Sequence, residues 1–374
     1  MAWLPERLPA APLPDWTREL PSDGVGGIAV ADGLVIVGGR DAQDAADLWL
    51  AFDAETGEER WRILYPAPGE LDYGNSPRAT PLVAEGIAYL MGALGHLHAV
   101  DAATGLVLWQ QNLAELFATP RLEWGLTGSP LLVDGKLIVQ PGGRGACLAA
   151  LDPANGKVLW KSSGEKPGHA SFIVANFGDK PQLVGYDAVS LGGWDPASGE
   201  RLWTVKPRLA GDFNVPTPIL LDGQRLFVCT ENNGARIYSL DSQGLPSPQP
   251  SASYAGLNPD SHTPVASDGR IYGVADGLHC LDANHGLREL WVSEDEAFFG
   301  YVSLIASGRR LLAYTEAAEL VLLEDEGDSA QVLSRLKLAS DVDGVLSHPA
   351  LVGSKLYVRL GARLACFDLA NVED

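Results

Sequence analysis

The chain has 374 residues, 46% of them hydrophobic, enough to bury a large core. Its 27 basic against 48 acidic side chains give a formal charge of −21, a field that repels phosphate backbones and argues against nucleic acid as a partner. Glycine (42) and proline (25) are plentiful and no apolar run reaches the roughly 18 residues of a membrane-spanning helix, so a strand-rich, all-β chain without a transmembrane segment is expected.

Residues 1–13 are proline-rich and carry neither a basic stretch nor a continuous apolar run, so they read as an N-terminal extension and not as a signal peptide. Two compartments stay open. The proline-rich opening has the look of a linker behind a removed leader, which favours a periplasmic or other extracytoplasmic location over a cytoplasmic one. Residues 14–374 read as a single domain because one phrase recurs through them: Asp, three residues, Gly, three residues, Trp. It runs from Asp53 to Trp61, Asp101 to Trp109, Asp152 to Trp160 and Asp195 to Trp203. A fifth copy, Asp282 to Trp291, carries one extra residue, and two worn copies at Asp241 and Glu324 lack the Trp. An eighth begins at Phe367-Asp368, where the chain nearly ends.

Each phrase is a hairpin signal, with Asp supplying a side-chain-bonded turn and Gly a left-handed position. Upstream of each lies a second hairpin, as in AVADGLVIV or LLVDGKLIV. Two hairpins make a four-stranded antiparallel unit. The Asp positions recur at spacings of 48, 51, 43, 46 and 41 residues, the length of one propeller blade. An eight-bladed β-propeller follows; merging the two worn units would give seven. The innermost strands are expected to carry Thr80-Pro81, Ser129-Pro130, Thr217-Pro218, Thr263-Pro264 and His348-Pro349, and the outermost the Trp, docked between neighbouring blades. Unit eight lacks an outer strand, and Pro14–Leu20 with Trp16 is expected to supply it and remove the free sheet edges of an open array.

The segments from Leu97 to Trp109 and from Leu148 to Trp160 resemble the PQQ-like propeller repeat, a family that includes quinoprotein alcohol dehydrogenases and the BamB-like scaffolds of outer-membrane protein assembly. The resemblance implies the fold. It does not by itself imply the quinone, since Asp, Gly and Trp build turns and blade contacts. Quinoprotein members add a disulfide of adjacent cysteines, a tryptophan platform and Ca²⁺ held by carboxylate and amide. Here Cys147, Cys229, Cys280 and Cys366 lie far apart and read as buried thiols, and Glu231-Asn232-Asn233 alone is too few oxygens for calcium. No resident cofactor is expected, with PQQ and calcium as the alternative.

In a propeller, the inter-blade linkers and mid-blade loops gather at one mouth of the central channel. The candidate rim is Tyr73, Glu123, Trp124, Arg144, His169, Asp212, Asn214, His262, Tyr301 and His348, with Phe298, Phe299, Glu231 and Glu316 nearby. Trp124 stands out because it falls outside the repeat phrase. Three histidines at related positions invite a metal, whereas the aromatic residues invite a peptide or sugar ring. The glycine-rich run at Gly142, Gly143 and Gly145 precedes a strand and not a helix, so it reads as a turn and not as a phosphate cradle. No catalytic or metal-ligating residue is assigned. The expected function is non-catalytic binding or scaffolding by a monomer that engages a protein, peptide or carbohydrate at one face; the alternative is a quinoprotein-type or metal-dependent enzyme at the channel mouth.

Overall fold

A computed structural model describes residues 3–177 and 180–370. Eight four-stranded antiparallel sheets form a ring. Blade 1 takes its strands from residues 29–66, blade 2 from 82–112, blade 3 from 131–162 and blade 4 from 173–205. Blade 5 spans 219–254, blade 6 spans 265–293 and blade 7 spans 302–337; blade 8 joins 350–368 to the N-terminal strand Trp16–Glu19. The expected closure is present: Trp16 pairs with Cys366 and Glu19 with Arg363. Both worn units are complete blades, so eight stands and seven falls.

The inner hairpins turn on paired left-handed residues, as at Asp32-Gly33 (φ 51° and 76°) and Asp134-Gly135 (47° and 68°), the geometry that suits a two-residue hairpin. In the outer phrase the Gly57 amide donates to the Asp53 carbonyl at 2.8 Å with Gly57 at φ 67°. That glycine has a second duty. A Cβ there would lie 2.5 Å from the Trp16 ring, and the equivalents at Gly105, Gly156 and Gly199 would strike Trp61, Trp109 and Trp160. Each indole lies flat on the next blade's glycine and donates its N–H to the carbonyl beyond that blade's Asp: Trp16 to Ala54 (3.0 Å), Trp61 to Ala102 (2.8 Å), Trp109 to Pro153 (2.7 Å) and Trp160 to Pro196 (3.1 Å). Sequence and packing meet in this latch.

Past blade 4 the latch changes. Trp203 remains in its own blade, bonded to Gln182 at 2.8 Å, while Phe177 covers Gly244 of blade 5. Arg225 bridges blades 5 and 6 by donating to the Ala283 carbonyl and to Asn284 Oδ1 (2.8 Å). Trp291 does reach blade 7, but its partner is the Asp325 carboxylate (3.0 Å), which also receives the Tyr272 hydroxyl (2.7 Å) and pairs with Arg270 (2.6 Å). Between blades 7 and 8, Leu4 and Leu8 of the N-terminal extension enter the core beside Leu336 and Leu356.

The inner strands begin later than their Thr-Pro and Ser-Pro pairs suggested. The Thr-Pro and Ser-Pro pairs lie in the linkers just before the inner strands, which start at Leu82, Leu131, Ile219, Val265 and Ala350. Proline cannot donate to a ladder, and the hydroxyls serve another purpose: the Thr80 amide donates to Ser129 Oγ (3.0 Å), Ser129 to Ser171 Oγ (3.0 Å) and Thr217 to Thr263 Oγ1 (3.2 Å). These bonds join neighbouring blades next to the axis. Trp49, Trp194 and all four cysteines are buried.

Candidate functional site

The linkers that enter the blades converge on one cavity of about 490 Å³ at the channel mouth. Every linker contributes: Val25, Tyr73 and Arg78, Trp124 and Thr127, His169, Phe213 and Val215, Asp260 to His262, Phe299 to Tyr301, and Leu346, with Glu316 from the mid-blade loop of blade 7. A shared position explains part of this set. Arg78, Thr127, Val215, Ser261 and Leu346 each stand three residues before a linker proline, and His169 stands three before Phe172 at the equivalent place. That constant offset was available in the sequence as a signal for the lining residues that were missed, Arg78 and Thr127 among them.

Aromatic rings wall the cavity. Trp124 meets His169 edge-on at 5.0 Å and Phe213 at 5.1 Å between ring centroids, and Tyr301 lies 5.2 Å from His262. The two edge-to-face contacts of Trp124 hold its ring in place without outside help. The Trp124 indole N–H donates to Asp72 Oδ2 (3.1 Å), and Thr127 Oγ1 donates to the His169 carbonyl (3.0 Å). Tyr73 and Phe299 stay largely open to solvent, at 67% and 57% exposure.

Of the expected rim residues, Tyr73, Trp124, His169, His262 and Tyr301 line this cavity. His348 stands beside it, its Nε2 3.0 Å from the Tyr301 hydroxyl and its Nδ1 3.1 Å from Ser303 Oγ. A neutral imidazole donates one of those bonds and accepts the other. Glu123 points its side chain to solvent and only its carbonyl is used, by the Asp72 amide. Arg144 is exposed in the mid-blade loop of blade 3, where Gly143 and Ala146 form a β-bridge, so that run is a turn. Asp212 and Asn214 are buried struts: Asp212 accepts from the Asn232 amide (2.9 Å) and Asn233 Nδ2 (2.6 Å), and Asn214 donates to the Asp187 carbonyl (3.1 Å). Phe298, expected on the aromatic rim, is wholly buried in the core between blades 6 and 7.

The electrostatics keep the imidazoles neutral. Burial pushes His169 down to about 4, with Arg78 adding to the effect, and burial likewise lowers His262 and His348. The Tyr301 phenol is pushed up to about 12 by burial. Arg78 donates to the carbonyls of Asp72 and Gly74. Glu231 supports Phe213 from behind by accepting its amide.

The histidines are spread among separate linkers, and among the described residues no three His, Cys, Asp or Glu side chains come together as metal ligands. The four cysteines are buried in blades 3, 5, 6 and 8, so no pair could form the adjacent-cysteine bridge expected of quinoprotein relatives.

The outer membrane protein assembly factor BamB of Shewanella oneidensis is 27% identical over 223 residues, 58% of this chain and 50% of that protein. Quinoprotein alcohol dehydrogenase PedH of Pseudomonas putida is 30% identical over 142 residues, 36% of this chain but 23% of the relative. The matched stretches thus span half or less of these relatives' length. Among solved structures, BamB from Moraxella catarrhalis superposes with a TM-score of 0.68 over 96% of this chain and 100% of that one, at 15% identity, a likeness of fold. A family model described as outer membrane protein assembly factor BamB matches residues 15–181 and 121–332, and with the repeat, the blades and the latches in place, this chain belongs to that PQQ-like propeller family.

Proposed function

We propose that this chain is a non-catalytic binding propeller of the BamB type, which seats an extended segment of a protein partner in its axial mouth. The observation that carries the reading is the convergence of eight linkers on one aromatic-walled cavity held by its own contacts. A preformed site of this kind loses little freedom when it binds. Its polar groups suit recognition better than proton transfer, because burial leaves the His169 imidazole a weak base, lowered to about 4, and His348 is already engaged by Tyr301 and Ser303. The proposal includes function without a resident quinone or metal. It also includes an extracytoplasmic location, since the BamB relatives are named as outer membrane assembly factors.

The test is selection of a random peptide display library on the purified protein, with every binder measured again on Trp124→Ala. Trp124 is held only by rim contacts, so the variant is expected to melt within a few degrees of the parent and to lose about tenfold or more in affinity, as central aromatic anchors do. Binders that hold Trp124→Ala as tightly as the parent would sink the reading.

A further inference from the structure

The mouth is electrically lopsided. Most carboxylates that reach a buried wall in this protein have a cation beside them: Asp47 has Arg40 (2.5 Å), Asp187 has Arg201 (2.7 Å) and Asp325 has Arg270 (2.6 Å). Around the mouth the acids are more open, with Asp260 exposed and Glu231 and Glu316 half-buried. Among the described residues Glu231, Asp260 and Glu316 form no ion pair, although Asp260 and Glu316 line the cavity and Glu231 backs Phe213. Asp260 accepts only from its neighbour Ser261 (2.9 Å), Glu316 from the Tyr301 amide (3.1 Å), and Glu231 Oε2 is buried with no partner.

Arg78, the cation among the lining residues, comes from the linker between blades 1 and 2, and Asp260 from the linker between blades 5 and 6. Half a ring separates them. The Arg78 guanidinium is already turned onto the carbonyls of Asp72 and Gly74. Burial holds the Glu231 carboxyl above its ordinary value, with a lesser contribution from the like charges of Asp212 and Asp260. Beside these acids stand Phe213, Phe299 and Tyr301, whose ring faces attract cations, and the −21 charge of the chain draws cationic groups toward the protein from a distance.

We infer, resting on the binding role proposed above, that the guest in the mouth is a basic side chain, lysine or arginine, carried by the partner's extended segment and seated toward Asp260 and Glu316. The aromatic walls cover the aliphatic stem while the acids meet the charged end, which is the division that long basic side chains favour.

The test uses capped, fluorescently labelled nine-residue peptides identical except for a central Lys, Arg, Gln or Glu, titrated onto the full chain at physiological salt. Lys and Arg peptides are expected to bind about tenfold or more tighter than the Gln peptide, with the Glu peptide weakest, and the double variant Asp260→Asn/Glu316→Gln to erase that preference. Glu58→Gln/Glu200→Gln removes the same charge from exposed turns on the opposite face and is expected to change the affinities less than about twofold. Equal weakening by the two double variants would assign the effect to the overall field and overturn the inference. Gln or Glu peptides that bind as tightly as Lys, while still lost on Trp124→Ala, would overturn the basic guest but leave the binding role standing. Peptides of any kind indifferent to Trp124→Ala would remove the binding role itself.

Discussion

The arc running from blade 8 through blades 1, 2 and 3 to blade 4 and the arc from blade 4 back to blade 8 close one ring with different chemistry. In the first, four tryptophans repeat one latch, an indole flat on a glycine with its N–H on the next blade's carbonyl. In the second no two joints are alike: Phe177 with Gln182, then Arg225, then the Asp325 hub, then two leucines from the extension. The spacing between blades is met in both arcs. What the fold requires at a joint is a filled wedge with its polar atoms satisfied, and the repeat phrase is one solution among several.

Asp325 shows how a substitution is absorbed. It occupies the place that Ala54 and Ala102 hold in blades 1 and 2, where a main-chain carbonyl receives the neighbouring indole. In blade 7 the carboxylate receives it instead and gathers Tyr272, Arg270 and Arg309 as well. The joint thereby changes from apolar to ionic and gains a dependence on pH that the tryptophan latches lack.

The comparison can be broken at three places. Trp61→Ala empties a latch whose indole is 6% exposed, and the expected loss of about 3–5 kcal/mol should appear as a lower urea midpoint. Asp325→Ala should cost about 3 kcal/mol at pH 7, because it leaves a partly buried Arg270 without its partner. Burial alone would raise the Asp325 pKa, but hydrogen bonds from Trp291, Tyr272 and the Gly327 amide, together with Arg270, hold it below the ordinary 3.8. A depressed carboxylate stabilises the fold above its unfolded pKa and ceases to do so as pH falls through the folded value. The gap between parent and Asp325→Ala should therefore be full at pH 7 and shrink in acid below that range, while the gap for Trp61→Ala stays level; equal pH profiles would refute the division into two chemistries. The smallest effect is expected of Leu8→Ala, about 2 kcal/mol, which should loosen the joint between blades 7 and 8 and raise amide exchange there first.

Much of this was legible beforehand. Asp, Gly and Trp at fixed spacing marked each blade because a hairpin needs a left-handed residue and a wedge needs a large flat ring, requirements met within a few residues of chain. The closing strand at Trp16 followed from the same phrase with its outer strand missing. The buried cysteines and the turn at Gly142 to Gly145 were also readable from local pattern.

Other features depended on residues far apart in sequence. Nothing local to Trp203 says that it stays in its own blade while Phe177 makes the joint, since that depends on Gln182 bonding both Trp203 and the Gln243 carbonyl. Asp212 and Asn214 are polar linker residues like those of the rim, yet partners about twenty and more residues away turn them into buried struts. The amino-acid sequence alone determined the blade, its count and its closure, because these rest on short-range turn chemistry repeated at even intervals. Which linker residues face the mouth, and the placing of Arg78 half a ring from Asp260, was decided only when eight blades met around one axis, because that geometry belongs to the ring and to no single repeat.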